Sequence, residues 1–174
     1  GVEGWNKLHY YGSPGHWGEF SSTVEQTATA DTPTEVTFNR TDPNGDGVRI
    51  ELNSRITVDN PGVYVFEFNL QLSNNDTQIH DAHFWLRRNN SGSDGDVERT
   101  TTAASIIEKH GGIRGNNNLL IDHTLTLAKE DYIELIWAPS NANVSLQAGA
   151  AITSPYTRPS RPSVVLNVYQ VAAA

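Results

Sequence analysis

Hydrophobic and polar residues alternate along several stretches of this chain, and the alternation predicts β-strands. The clearest stretch is residues 62–72, in which every second residue from Tyr64 to Leu72 is apolar. A period of two places those side chains on one face of a strand, where they pack against a core. Three further stretches have strand-like sequence and are separated only by turns and loops: residues 119–127, 132–138 and 164–171. The chain is therefore predicted to be an all-β sandwich.

Two of these strands carry apolar residues on both faces. Val63 and Val65 lie on the face opposite the alternating aromatic residues, and Tyr132 and Ile136 hold the equivalent positions in residues 132–138. The face of an antiparallel sheet that lies away from the core is usually solvated and polar. A second apolar face predicts contact with a neighbouring chain, so the sequence favours an oligomer.

Residues that favour turns divide the chain into about ten short strands, a spacing typical of a sandwich. No helix and no internal repeat are evident. Strands are expected at residues 17–28 (an edge strand), 34–38, 48–52, 55–58, 63–72, 82–88, 100–107, 119–127, 132–138 and 164–171. Loops or turns are expected at residues 42–47, 89–96, 111–118, 129–131 and 149–163.

Residues 1–16 have no period and mix aromatic side chains with glycine and proline. A frayed terminus is one interpretation. Trp5, Leu8, Tyr10 and Tyr11 are unfavourable in water, however, and this favours a segment that docks against a neighbour. The sequence is therefore divided into an attachment segment at residues 1–16 and a folded domain at residues 17–174.

The composition narrows the function classes. The net charge of −8 argues against nucleic acid as a partner, because phosphate binding requires clustered cations. No stretch approaches the length of a membrane span, so membrane insertion is not expected. Cysteine is absent, which excludes disulfides, thiolate metal sites and a cysteine nucleophile, and favours synthesis in a reducing cytosol.

Taken in order, the strands resemble the jelly roll shared by the tumour necrosis factors and the globular heads of complement-like proteins. The matching motifs are residues 61–66 (PGVYVF), a hairpin formed by residues 125–127 and 131–135, and residues 162–168 (PSVVLNV). The chain is more closely similar to versions of this domain in virion proteins of marine tailed bacteriophages. That likeness lies in residues 36–39, 54–58 and 162–171. The resemblance as a whole covers residues 17–171.

The resemblance implies a ten-stranded, antiparallel jelly-roll sandwich that forms a homotrimer. It also implies binding and display rather than catalysis. The protein would then be a virion component, a head-decoration, knob or fibre-tip domain in contact with other virion structural proteins. The residues expected at the trimer interface are Val63, Val65, Tyr132, Ile136 and Tyr169.

A second hypothesis is a receptor- or glycan-binding adhesin module of a tail fibre. Its contacts with a host-surface receptor or glycan would come from the polar loops at residues 89–96 and 111–118. The candidate ligand-binding residues in these loops are Asn90, Asp94, Asp96, Asn116 and Asn117.

The stretch at residues 42–47 (DPNGDG) matches the first half of a calcium-binding loop. Asp42, Asn44 and Asp46 would supply oxygen ligands at alternate positions, with a glycine for the turn. The twelfth position, where a calcium loop has a bidentate Glu, is Asn53. Because Asp, Asn, Gly and Pro are also the residues of ordinary turns, the sequence favours a plain turn over a calcium site.

No other metal site, no cofactor and no catalytic group is expected. Asp81 and His83 share a strand face, but two residues do not complete a metal site. His123 falls among the apolar positions of its strand and is interpreted as a hydrogen-bonded core or interface residue. The serines lie in loops without the sequence that positions a nucleophile beside a base, so we do not expect an enzyme.

Overall fold

The structure is a computed structural model that describes residues 15–89 and 95–173. These residues form two antiparallel sheets packed as a sandwich and contain no α-helix. The described residues accordingly include no helix that is long and apolar enough to cross a membrane. The predicted fold class, an all-β antiparallel jelly-roll sandwich, is confirmed.

Thirteen strands lie within the described residues, ten of them three residues or longer. Nine of the ten predicted strands have a counterpart among these longer strands; the strand expected at residues 34–38 is only two residues long, and the one at residues 144–146 was not predicted. In chain order the strands are β1 (Trp17–Ser22), β2 (Gln26–Thr27), β3 (Thr34–Glu35), β4 (Arg40–Thr41), β5 (Val48–Glu51), β6 (Arg55–Val58), β7 (Gly62–Asn74), β8 (His80–Arg88), β9 (Thr102–Ile106), β10 (Gly115–Leu127), β11 (Tyr132–Pro139), β12 (Val144–Leu146) and β13 (Val164–Ala173).

The first sheet, called sheet A, is organised around β7. Strand β10 pairs with β7 along its whole length on one side, while β13 and then β12 pair with it on the other. Strand β1 follows β13, β4 follows β1, and β2 pairs with β12. Sheet B has the order β5-β6-β11-β8-β9, and β3 also pairs with β11.

The core lies between the two sheets and contains alternate residues of the longest strands. Strand β7 contributes its aromatic and leucine side chains, and β11 contributes Ile133, Leu135 and Trp137, all fully buried. The rings of Phe84 and Trp137 stack with centroids 6.0 Å apart. The face of each strand that was predicted to point inward is therefore the face that does so.

The connection between β10 and β11 differs from the expected hairpin. The turn itself is present, since the Asp131 N–H donates to the Ala128 carbonyl at 3.1 Å. The strands do not pair with each other, because β10 lies in sheet A beside β7 and β11 lies in sheet B between β6 and β8. The turn therefore carries the chain from one sheet to the other. The alternating pattern of two strands joined by a short turn is the same in both cases, so it could not distinguish this crossing from a hairpin.

Two predicted boundaries were also wrong. Residues 115–118 were expected in a loop, yet Gly115 pairs with Asn74 and the three following asparagines continue the β10–β7 register. These asparagines are exposed, so side-chain burial does not hold them in the strand. Backbone pairing with the long strand β7 does. Residues 17–28 form two strands instead of one edge strand, and β1 is paired on both sides.

Candidate functional site

The outer face of sheet A, which we call the A face, carries apolar residues in two places. Val63 and Val65 of β7 lie together with Tyr169 of β13, and Leu120 of β10 lies on the same face beyond the pair formed by Glu67 and Asp122. Val65 pairs directly with Tyr169, so the two side chains lie side by side on this face. Leu120 is 74% exposed and Tyr169 is 37% exposed. The structure thus places three of the five predicted interface residues together and adds Leu120, which the sequence analysis had assigned only to a strand.

Two carboxylates lie in the same face, between Leu120 and the group formed by Val63, Val65 and Tyr169. Glu67 pairs with Asp122 on one side and with Asn167 on the other. The Tyr169 hydroxyl donates a 2.8 Å hydrogen bond to Glu67. This bond raises the pKa of Tyr169, and partial burial and the negative charges of Glu67 and Asp122 act in the same direction. Among the described residues, neither carboxylate has a cationic partner within ion-pair distance.

A shallow groove of about 350 Å³ crosses this part of the A face. It is lined by the carboxylates and by Leu120, Asn69 and Asn167. The exposed Leu120 side chain would gain free energy if it were covered. The carboxylates would not, because they are well hydrated in water and lose that hydration on burial. The A face therefore combines apolar side chains that favour burial with a row of charged residues that limits how these side chains can be covered.

The other two predicted interface residues lie on sheet B and do not join the A face. Tyr132 is half-buried, and the guanidinium of Arg55 lies 4.5 Å from the centre of its ring, a cation–π contact. Ile136 is fully buried within the single chain. It pairs with Trp85 on one side and with Glu35 on the other. The apolar residue on the second face of this strand, Ile136, is therefore already covered by the chain itself and does not need a neighbouring copy.

The predicted ligand-binding loops are only partly as expected. Asn116 and Asn117 lie on β10 rather than in a loop, which corrects that prediction, and both side chains are exposed. Their amide groups donate to the carbonyls of Arg114 at 3.0 Å and Ser105 at 3.1 Å. In the other loop, Asp96 accepts a 2.8 Å hydrogen bond from Arg87. Asn90 and Asp94 lie outside the described residues.

The stretch at residues 42–47 forms a turn held by its own side chains. Asp42 accepts hydrogen bonds from the backbone N–H and the side-chain amide of Asn44, at 2.8 and 2.9 Å. Asp46 lies 3.0 Å from the Nδ1 atom of His16. The two carboxylates thus have separate partners and do not converge, and the described residues contain no group of three or more potential metal ligands.

Two further histidines, His123 and His80, have ordinary structural contacts. His123 is half-buried on β10, and its Nε2 atom lies 3.2 Å from the Thr100 carbonyl, in agreement with the hydrogen-bonded core residue expected there. His80 lies 2.9 Å from Asp76. The hydrogen bond to His80, followed by the Thr77 N–H, lowers the pKa of Asp76.

Sequence analysis missed a second surface, on the outer face of sheet B. A groove of about 400 Å³ is lined by His83 and Trp85 of β8 and by residues 96–99 and 101. Trp85 is half-buried there, whereas its neighbours Phe84 and Leu86 are core residues. The signal was present in the alternation of residues 82–88, in which a tryptophan occupies a position on the solvent-facing side.

Of the predicted attachment segment, residues 1–14 lie outside the described residues, and with them Trp5, Leu8, Tyr10 and Tyr11. His16, near its end, is bound to the sandwich: its carbonyl accepts a 2.8 Å hydrogen bond from the Gln170 N–H. Gly15 lies so close to Gln170 that a Cβ there would be 2.4 Å from the carbonyl oxygen of that residue. The sandwich therefore holds the chain from residue 15 onward.

Comparison with known proteins agrees with the fold. No protein-family model matches the chain, and no curated protein is significantly similar to it in sequence. Among solved structures, Eiger TNF from S. frugiperda superposes with a TM-score of 0.61 at 16% sequence identity. The match covers 92% of this chain and 95% of that one. At this identity the comparison establishes architecture alone: the chain has the jelly-roll fold of the tumour necrosis factors.

Proposed function

We propose that this protein is a self-associating display module that buries its A face against further copies of the chain and acts by binding rather than catalysis. The observation that carries the proposal is the apolar surface of the A face, on which Val63, Val65 and Tyr169 lie together and Leu120 is 74% exposed. Covering such a surface contributes about 25 cal/mol for each Å² of apolar area removed from water. A stable interface requires about 800 Å² on each partner, so this surface would be the centre of a larger contact.

A threefold ring is the arrangement implied by the resemblance to tumour necrosis factors, and the charges of the A face support a ring over a face-to-face pair. In a two-fold pair that stacks one A face on another, Glu67 and Asp122 of both copies would approach each other. Such like charges oppose association as they lose water. A head-to-tail ring brings different parts of the face together and avoids this repulsion.

The proposed setting is the virion of a tailed bacteriophage, as a head-decoration, knob or fibre-tip domain. Its support is the sequence similarity at residues 36–39, 54–58 and 162–171, together with the acidic, cysteine-free composition. Residues 1–16 would join the module to other virion structural proteins. Labelling of purified phage particles with an antibody against the domain tests this setting; absence of the protein from the particles would exclude it.

Light scattering at micromolar concentration tests the assembly. The wild-type chain of 19.1 kDa should have about three times that mass in solution. Leu120→Glu should be monomeric, because it adds a third carboxylate beside Glu67 and Asp122, and like charges that lose water oppose association. Ile113→Glu is a matched control, since Ile113 is equally exposed at 74% but lies in the turn before β10. It should remain a trimer; a monomeric wild-type chain would overturn the proposal.

A further inference from the structure

We propose that the groove on the outer face of sheet B, here called the Trp85 groove, binds the pyranose ring of a neutral oligosaccharide. The proposal deepens the proposed display function by naming a ligand class, and it concerns the sheet opposite the A face. The groove is defined by His83, Trp85, Glu98, Arg99 and Thr101, together with Asp96 and Val97. Its volume of about 400 Å³ lies at the small-ligand end of the range for binding pockets.

The floor of the groove offers an apolar aromatic surface. Trp85 is half-buried, yet its Nε1 atom is inaccessible to solvent and has no hydrogen-bond partner among the described residues. The accessible part of the indole is therefore carbon. Such a surface suits the C–H face of a sugar ring, which is apolar, better than it suits a ligand that needs a hydrogen bond from the indole.

The polar side chains around the indole are available to a ligand. His83, Glu98, Arg99 and Thr101 make no side-chain hydrogen bond or ion pair within the described part of the chain. Together they offer donors and acceptors, which matches sugar hydroxyls, since each hydroxyl is both. Arg99 also adopts a left-handed backbone conformation, with φ of 66°, which is uncommon for a residue with a side chain.

The charge and size of the groove select among ligands. Asp96 is already paired with Arg87, and the charges of Glu98 and Arg99 offset each other, so the groove has no excess charge to favour an ionic ligand. A protein partner would need a much larger surface with several aromatic anchors. The Trp85 groove, with one tryptophan surrounded by mixed polar groups, is instead large enough for one or two sugar rings.

Binding of the full chain to an array of neutral and acidic oligosaccharides, followed by calorimetry with the strongest ligand, tests the proposal. Neutral oligosaccharides should bind. Trp85→Leu should weaken binding at least tenfold by removing the aromatic surface, and Arg99→Ala should weaken it by a smaller factor. Tyr156→Ala is the control, because Tyr156 is an aromatic residue that is 63% exposed away from the groove, and it should bind like the wild type.

Light scattering on the same samples separates this test from that of the proposed assembly. The groove variants should keep the mass of the wild-type protein, whatever that mass is. Binding that is lost in Trp85→Leu with the mass unchanged supports the groove, even if the protein proves monomeric. The proposal is overturned if no oligosaccharide binds, if only acidic ones bind, or if Trp85→Leu binds as tightly as the wild type.

Discussion

Gly115 lies against the carbonyl oxygen of Ile107 so closely that a Cβ atom at Gly115 would be only 1.8 Å from that oxygen. The contact occurs where the chain leaves β9 at Ile106 and begins β10 at Gly115. Both groups at this contact are backbone, so neither can rotate away. A glycine is therefore required for the first residue of β10 to pair with the end of β7.

Gly115→Ala should destabilise the fold by about 1–3 kcal/mol or more, because the added methyl group forces the backbone of residues 107 and 115 apart. Chemical denaturation measures the difference. Gly112→Ala is the matched control: nothing lies within 4 Å of a Cβ at Gly112. Its stability should change by no more than about 0.5 kcal/mol. Equal stability of the two variants would show that the contact at Gly115 relaxes freely.

The inward faces of the long strands could be predicted from sequence because burial there depends on a period of two. Phe66 and Leu70, for example, occupy alternate positions, and both are fully buried. Glu134 departs from this pattern, because a charged residue between apolar ones is expected to face solvent. It is only 5% exposed and accepts a 2.7 Å hydrogen bond from Ser54. That partner is 80 residues away in the sequence, so no local pattern could indicate it.

The surfaces were less predictable than the core. The A face brings Val65 of β7 next to Tyr169 of β13, and this proximity depends on the order of strands in sheet A. Residues 132–138 have the same two-faced pattern, yet Ile136 is buried within the chain. Sequence alone could not distinguish an outward face that a neighbour covers from one that is already covered.

The end of β7 depends on the side chain of Asn74, which is fully buried. Its amide donates to the carbonyls of Gln78 at 2.7 Å and Ile106 at 3.2 Å, and its oxygen accepts from the Asp76 N–H at 2.8 Å. Asn74→Ala should cost about 1–3 kcal/mol, because the buried Ile106 carbonyl and two partly buried backbone groups lose a partner. Thermal unfolding measures the effect.

Asn75→Ala is the control for this position. Asn75 is adjacent, and it is exposed. The only hydrogen bond it makes within the described residues is from its backbone N–H to Asn143, which alanine retains. Its melting temperature should stay close to that of the wild type. If the two variants melt together, the Asn74 network contributes no net stability.

Calcium should have no effect on the stability of the domain. In the turn at residues 42–47, Asp42 is bonded to Asn44 and Asp46 is directed to His16, so the carboxylates do not form one site. Melting curves with millimolar calcium and with a chelator should therefore coincide. A rise in melting temperature with calcium that is lost in Asp42→Asn would contradict this and establish a site.

Asp131 holds the turn that links the two sheets, and its contribution to stability should depend on pH. Its carboxylate accepts hydrogen bonds from the Ala128 N–H at 2.8 Å and from the Asn89 amide at 2.5 Å, and it pairs with Arg88. Burial alone would raise its pKa. The bonds from Asn89, Ala128 and Arg88 together outweigh burial, so the pKa of Asp131 lies below its ordinary value of 3.8.

Because the pKa is lower in the folded protein than in the unfolded chain, the folded state favours the ionised carboxylate. The resulting stability is fully present above pH 3.8 and is lost as the pH falls through the lower folded pKa. Asp131→Asn should therefore be about 1–3 kcal/mol less stable than the wild type at pH 7, and the difference should shrink below pH 3.8. Urea unfolding across this range measures the difference in stability.

Asp31→Asn is the control, since Asp31 is exposed and makes no side-chain hydrogen bond within the described residues; it should match the wild type at pH 7. A constant difference between Asp131→Asn and the wild type from pH 7 to pH 2 would mean that the lost stability comes from packing and not from the charge.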